Sequence, residues 1–230
     1  MNITDLLLSL DPTLKLHSES EWSGGEEAKL YSAFNSGGIE CETGEFLYGF
    51  VRLLKPEWVL ETGTHYATGA SYMGMALKDN GKGKLDTIEF SRPIHERAVE
   101  RIHRMGLQNQ VNLYCKDVKD FDPGEKKYKL ILLDTEPQTR FAEFIKFYDY
   151  LEEGGFIFIH DLHRHLGQEV RDNPDHPNQP YWPWGEIPGE IYGLVKYEKI
   201  RPFHFATPRG LAALYKTHPR DFKWSRTGGL

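Results

Sequence analysis

Five short strand-like runs recur through the middle of the chain, and an acid closes or follows each of them. They are Trp58-Val59-Leu60 before Glu61, Leu85 to Ile88 before Glu89, Val111 to Cys115 before Asp117, Leu130 to Leu133 before Asp134, and Phe156 to Ile159 before His160-Asp161. Between them lie segments whose apolar residues fall at helical spacing: Phe46, Leu47, Phe50, Val51 and Leu54; Ile94, Ala98, Ile102 and Met105; Phe141, Phe144, Ile145 and Tyr148. Largely unbroken apolar strands are buried on both faces, and their alternation with amphipathic helices predicts a parallel sheet covered on both sides. Ligands of such a sheet bind beyond the carboxyl ends of its strands. Asp and Glu also begin loops and cap helices without any further role. Five of five runs meeting the same rule favours a ligand site rimmed by carboxylates.

The stretch Trp58 to Ser71, WVLETGTHYATGAS, is the core of that reading. A strand ending at Glu61 passes into a loop with Gly63 and Gly69 and the hydroxyls of Thr62, Thr64, Thr68 and Ser71. A helix is expected from Ser71. Strand, glycine loop and helix build a nucleotide site, because glycine lets backbone approach the ligand and the helix start offers free N–H groups. Glu89 ends the next strand, roughly 20 residues past the loop, where a carboxylate holds a ribose diol.

The remaining chain predicts a helix over Ile3 to Leu10, a cap, lid or arm over Ser18 to Gly38, and a helix after Thr43 as N-cap. Gly154-Gly155 turns into the fifth strand. Arg171 to Gly189 has no period, and a loop that long is commonly functional; its Tyr181, Trp182 and Trp184 face either a substrate or a packing partner. A short helix around Ile191, Leu194 and Val195, a strand at Phe203-His204-Phe205, a turn containing Arg209 and a closing strand from Leu211 complete the chain. The fold expected is α/β: a Rossmann-like doubly wound sheet of about seven strands, mostly parallel with an antiparallel C-terminal strand, and helices on both faces. One domain spans 1–230: N-terminal helix and arm or lid 1–42, cofactor-binding core 43–165, substrate-side loop 166–190, and closing helix and strands 191–230.

Composition excludes several classes. The 230 residues carry a formal charge of −6 with no basic stripe, which argues against a nucleic-acid partner. Cys41 and Cys115 have neither metal-ligand spacing nor a disulfide framework, which points to a reducing cytoplasm. The N-terminus lacks a basic segment and cleavage site, and no apolar run approaches the roughly 20 residues of a membrane span.

The segments VLETGTHYATGAS, LDTIEF, LYCKDV, YKLILLDTE and LEEGGFIFIHD, with FATPRGLAAL near the C-terminus, resemble class I S-adenosylmethionine-dependent methyltransferases. The resemblance lies nearest the small-molecule O-methyltransferases of the catechol and caffeoyl-CoA type. It implies S-adenosylmethionine as cofactor and a small-molecule acceptor. Gly63 and its loop, with Thr64, His65 and Gly69, would lie against the methionine part. Glu61 would engage the cofactor's amino group and Ser71 its carboxylate. Glu89 would hold both ribose hydroxyls, Asp117 and Val118 would face the adenine, and Asp134 would sit near the sulfonium. The loop departs from the family pattern, since Gly63 and Gly69 stand two residues further apart than in G-x-x-x-G-x-S. The resemblance also implies a homo-oligomer.

Catechol-type relatives hold a divalent metal through the acid after strand four and an Asp-Asn pair after strand five. Asp134 and Asp161 match two of those ligands, but Leu162 replaces the Asn. Three roles stay open for His160 and His163 beside Asp161: a general base for the acceptor's hydroxyl, ligands of a softer metal, or structure alone. Two other functions remain as alternatives, a metal-dependent hydroxylase or tailoring enzyme on the same fold and a non-catalytic cofactor-binding scaffold. A nicotinamide oxidoreductase is disfavoured because the loop lacks G-x-G-x-x-G.

Overall fold

The structure is a computed structural model, and it describes residues 2–18, 31–35, 37–136, 139–161, 194–197, 199–205 and 209–218. The elements are α1 (Ile3–Leu10), β1 (His17–Ser18), β2 (Ser32–Ala33), α2 (Cys41–Leu54), β3 (Trp58–Thr62), α3 (Thr68–Asn80), β4 (Lys84–Glu89), α4 (Arg92–Arg104), β5 (Val111–Cys115), a 3-10 turn (Val118–Asp120), β6 (Tyr128–Leu133), α5 (Arg140–Tyr148), β7 (Leu151–His160), β8 (Ile200–Phe205) and β9 (Leu211–Lys216). Residues 194–196 are helical. The substrate-side loop, His163 and most of the N-terminal arm lie outside the described residues.

Strands β3 to β9 form a seven-stranded sheet in the order β5-β4-β3-β6-β7-β9-β8. β3 to β7 pair in parallel, while β9 runs antiparallel between β7 and β8. This is the expected Rossmann-like fold with its antiparallel C-terminal strand. Pro202, which cannot donate to a ladder, sits in the edge strand β8. The chain winds outward from β3 in one direction through β4 and β5 and in the other through β6 and β7. The crevice where strand order reverses therefore opens between the ends of β3 and β6.

Successive strand residues feed two apolar layers. Val59, Leu85, Leu130, Leu132 and Phe158 pack with Leu7, Leu47, Val51, Met73, Leu77 and Ile102 of the α1–α4 layer. Leu60, Ile88, Ile131, Leu133, Ile157 and Ile159 pack with Phe144 and Phe147 of α5. Each fully buried aliphatic side chain stabilises by about 1.5–3 kcal/mol relative to exposure, so alternation between layers fixes the strand register. Among the described residues, no helix is long and apolar enough to cross a membrane.

Three boundaries differ from expectation. α2 starts at Cys41 with Glu40 in the capping position, and Thr43 is buried within its first turn. α3 starts at Thr68, three residues before Ser71, because Ala67 takes a left-handed φ of 60° and turns the chain into the helix early. β7 begins at Leu151, before the glycine pair. Gly154 adopts φ 73°, and a register shift between Tyr128 and Leu130 of β6 lets the strand continue through it.

Candidate cofactor and ion-cluster site

The loop after β3 is shaped by close backbone contact. Gly63 has φ 80°, and a Cβ there would lie 2.3 Å from the carbonyl oxygen of Asp134. Its N–H and that of Thr64 both donate to the Ile88 carbonyl at 3.0 Å, tying the ends of β3 and β4 together. Gly63→Ala should destabilise the fold by about 3 kcal/mol, from the left-handed backbone and the steric clash together. Chemical denaturation checks this; an unchanged midpoint would mean that the loop can move away from Asp134.

Glu61 is buried beneath this loop. The Thr87 hydroxyl donates to its Oε2 at 2.6 Å, and Thr64 and Thr87 share a hydrogen bond of 2.6 Å. Since the Thr87 proton goes to Glu61, Thr64 is the donor in that second bond. A Cβ on Gly69 would lie 2.2 Å from Glu61 Oε1, so glycine makes room for the carboxylate at the start of α3. Burial, opposed by the Thr87 bond and reinforced by Asp134 and Glu89, pushes the Glu61 carboxyl up to about 8. Ser71 is buried and donates to the Ala67 carbonyl at 2.6 Å, within its own helix.

Glu89 is the last residue of β4. Its Oε2 accepts from the His65 N–H at 2.9 Å and its Oε1 from the Ser91 N–H at 2.8 Å. Both oxygens are thereby oriented, and each keeps acceptor capacity for one more donor. His65 has φ 47°, and its ring sits against Gly37, where a Cβ would come within 2.8 Å. Burial holds the His65 pKa below the ordinary histidine value. Phe90, directly after Glu89, is 77% exposed, a bare aromatic ring at the ligand-binding edge. On the neighbouring strand, Glu89 pairs in register with Cys115. Asp117, two residues further on, accepts from the Lys119 N–H at 2.9 Å and is exposed, while Val118 is half-buried against the α5 layer.

On the other side of the crevice stands a cluster of charges. His160 ends β7 and is buried. Its Nδ1 lies 2.9 Å from Asp134 Oδ1 and its Nε2 lies 2.8 Å from Glu40 Oε2. Ionised carboxylates only accept, so both ring nitrogens carry hydrogen and the ring is an imidazolium. Burial alone would lower its pKa, but Asp161, Asp134 and Glu40 raise it to about 10. Burial would likewise raise Glu40, but His160 and Arg209 hold it below the usual carboxylate value.

Two arginines complete the cluster. Arg140, buried at the start of α5, donates from Nε to the Thr135 carbonyl at 2.8 Å and from Nη1 to the His160 carbonyl. Its Nη2 lies 3.4 Å from Asp134 and 3.2 Å from Asp161. Arg209, in the turn before β9, places Nη2 2.6 Å from Asp161 Oδ1 and Nε 3.8 Å from Glu40, and donates from Nη1 to the Gly38 carbonyl at 2.9 Å. Asp161 is held between them with φ 56°.

Sequence reasoning placed Glu61, Gly63, Thr64, His65, Gly69, Glu89, Asp117, Asp134, His160 and Asp161 at one edge, and the fold brings them there. It missed Glu40, Arg140 and Phe90, and read Arg209 as a turn residue only. Arg140 carried one local signal: a cation in the first turn of a helix opposes the helix dipole and so needs a nearby acid.

Residues 60–162 match the methyltransferase domain family. The matched stretch is a little under half of the chain. The O-methyltransferase TomG from Streptomyces achromogenes, in complex with SAM, superposes with a TM-score of 0.65 at 20% identity, covering 80% of this chain and 84% of TomG. An O-methyltransferase from Bacillus cereus, in complex with SAH, gives 0.62 at 19% identity, covering 94% and 98%. A putative caffeoyl-CoA O-methyltransferase from Staphylococcus aureus gives 0.63 at 16% identity, covering 78% and 85%. In sequence, 114 residues are 29% identical to a protein-L-isoaspartate O-methyltransferase from Thermotoga maritima. The chain spans a third of that relative's length, 33%, and the match uses 48% of this chain. The fold is that of the S-adenosylmethionine-dependent methyltransferases.

Among the described residues, the cluster of Asp134, His160 and Asp161 is not suited to a divalent cation. The donor atoms of Asp134, His160 and Asp161 do lie within 4.8 Å of one another. However, a metal needs a neutral imidazole with a free lone pair, and both His160 nitrogens already donate to carboxylates. Asp134 and Asp161, the two ligands suggested by the resemblance, are paired with Arg140, and Asp161 also with Arg209.

Proposed function

We propose that the protein transfers the methyl group of S-adenosylmethionine to an oxygen of a small molecule. The observation that carries this reading is the pair of oriented carboxyl groups, Glu61 and Glu89, on either side of the glycine loop, within the stretch that matches the methyltransferase domain family. A sulfonium cofactor is better matched by a carboxylate-rimmed crevice than by a phosphate cradle. Glu89 accepts from the ribose hydroxyls, and Phe90, Asp117 and Val118 surround the adenine. Gly63, Thr64, His65 and Gly69 border the methionine part, with Ser71 toward its carboxylate and Asp134 toward the sulfur. Glu61 meets the amino group.

In the reaction, the acceptor oxygen attacks the methyl carbon in line with the breaking carbon–sulfur bond. Sulfur leaves as a neutral thioether, and the acceptor's proton is removed. His160 positions rather than abstracts, since an imidazolium with both hydrogens committed cannot take a proton. Asp161, held by two guanidinium groups, positions as well. Proton removal is then assigned to His163, on the residue's type and its place after β7 in the sequence. A cytoplasmic location fits the two free thiols, Cys41 and Cys115. The net charge of −6 fits a partner other than nucleic acid. A homo-oligomer is carried over from the family resemblance alone.

Calorimetric titration tests the cofactor. S-adenosylmethionine and S-adenosylhomocysteine should bind at micromolar concentrations and NAD should not; absence of both signals in folded protein would overturn the reading. Glu61 adds a proton signature. At pH 7 its carboxyl is protonated, and an arriving ammonium favours the ionised form, so binding should release close to one proton. Buffers of different ionisation enthalpy measure this. The release should vanish above pH 9 and in Glu61→Gln. In the ligand-free protein the raised Glu61 value contributes stability that is full below its ordinary value of 4.5 and lost as pH rises through about 8.

A further inference from the structure

The crevice carries three carboxylates, Glu40, Asp134 and Asp161, beside the place where a methyl acceptor would sit. Among the described residues, two guanidinium groups pair with them, Arg140 with Asp134 and Asp161 and Arg209 with Asp161 and Glu40, and the His160 ring nitrogens lie against Glu40 and Asp134. The two arginines reach the cluster from opposite sides, Arg140 from α5 and Arg209 from the turn before β9, and Arg209 also binds the Gly38 carbonyl just ahead of Glu40. A divalent ion entering here would face two resident guanidinium charges, and both ring nitrogens of His160 already have carboxylate partners.

We propose that Arg140 and Arg209 stand in for the divalent metal of the catechol-type relatives, so that this protein positions its acceptor with built-in cations and works without a metal. The proposal rests on the methyl-transfer reading. It predicts a specific trade: removing a resident cation should open the site to a metal. Arg209→Met leaves Asp161 and Glu40 with one guanidinium partner fewer while Asp134 keeps its own. Two acids with one cation fewer, beside a third, make a hard-ligand set of the kind Mg²⁺ and Mn²⁺ accept.

The experiment is a titration of purified protein with Mg²⁺, Mn²⁺ and Zn²⁺ by calorimetry, with elemental analysis of the protein as isolated. Wild type should show no stoichiometric metal and no saturable binding below about 1 mM. Arg209→Met should bind Mn²⁺ at least about tenfold more tightly than wild type and gain thermal stability from it. One equivalent of tightly bound metal in wild type, lost in Asp134→Asn, would overturn the proposal. So would a folded Arg209→Met with no gain. Wild type alone decides the matter where that variant does not fold. S-adenosylhomocysteine titrated into the same chelated wild type separates the two readings: failure to bind removes the methyl-transfer function, whereas binding alongside a required metal removes only this inference.

Discussion

Glu89→Ala should weaken S-adenosylhomocysteine binding by about a hundredfold or more. Each Glu89 oxygen already accepts one backbone N–H, from His65 and Ser91, so the carboxylate is held in place before the ligand arrives. A ribose offers two hydroxyls to the two remaining acceptor positions. Hydrogen bonds to a charged group contribute about 1.5–3 kcal/mol each, and two of them correspond to a factor of 10² or above. The substitution also frees the His65 N–H, whose left-handed residue depends on that anchor. Calorimetry, with circular dichroism to show that the sheet is intact, reads the effect. Unchanged affinity would remove the ribose assignment and with it the main argument for this edge as the cofactor site.

Arg140→Met should be among the most destabilising single changes in the molecule. The side chain is buried at the start of α5 and serves the Thr135 and His160 carbonyls together with Asp134 and Asp161. Methionine fills much of the volume but donates nothing. Removing one partner from a buried ion pair costs about 3–5 kcal/mol, because the other charge stays behind unpaired. For a domain of this size that corresponds to a fall in Tm of roughly 6–20 °C. Thermal and urea unfolding measure it, and a loss below about 1 kcal/mol would show that water compensates the acids. The same cluster gives the wild type a pH signature. The raised His160 value contributes stability that is full below the ordinary 6.5 and lost as pH rises through about 10.

The sheet was legible because strands buried on both faces must be apolar throughout. Runs such as Leu130 to Leu133 and Phe156 to Ile159 therefore stand out from the amphipathic segments around them. The acids at strand ends were legible for a related reason, since a charge marks where burial stops. Helix starts were less so. Thr43 and Ser71 have the right chemistry for caps, but tertiary contacts bury both, and backbone geometry at Ala67 sets the start of α3. The ion cluster was the least legible part. Glu40 lies 120 positions from His160, and Arg209 lies 171 from Gly38, so no local pattern relates them. His160 looked like a base because sequence shows the residue type and not its two acidic neighbours.

That separation has a consequence for how the protein is made. β3 to β7 come from one continuous stretch, 58–160, and can pair as it leaves the ribosome. Glu40 is synthesised before any of them, and Arg209 after all of them. The acid therefore spends most of translation without its final cation, and the turn before β9 acts as a clasp that closes last. A nascent chain stalled short of residue 209 would hold most of its sheet but not its finished crevice. Closure of the acceptor side of the crevice is then a property of the completed polypeptide, while the loop and strand ends around Glu61 and Glu89 are made long before it.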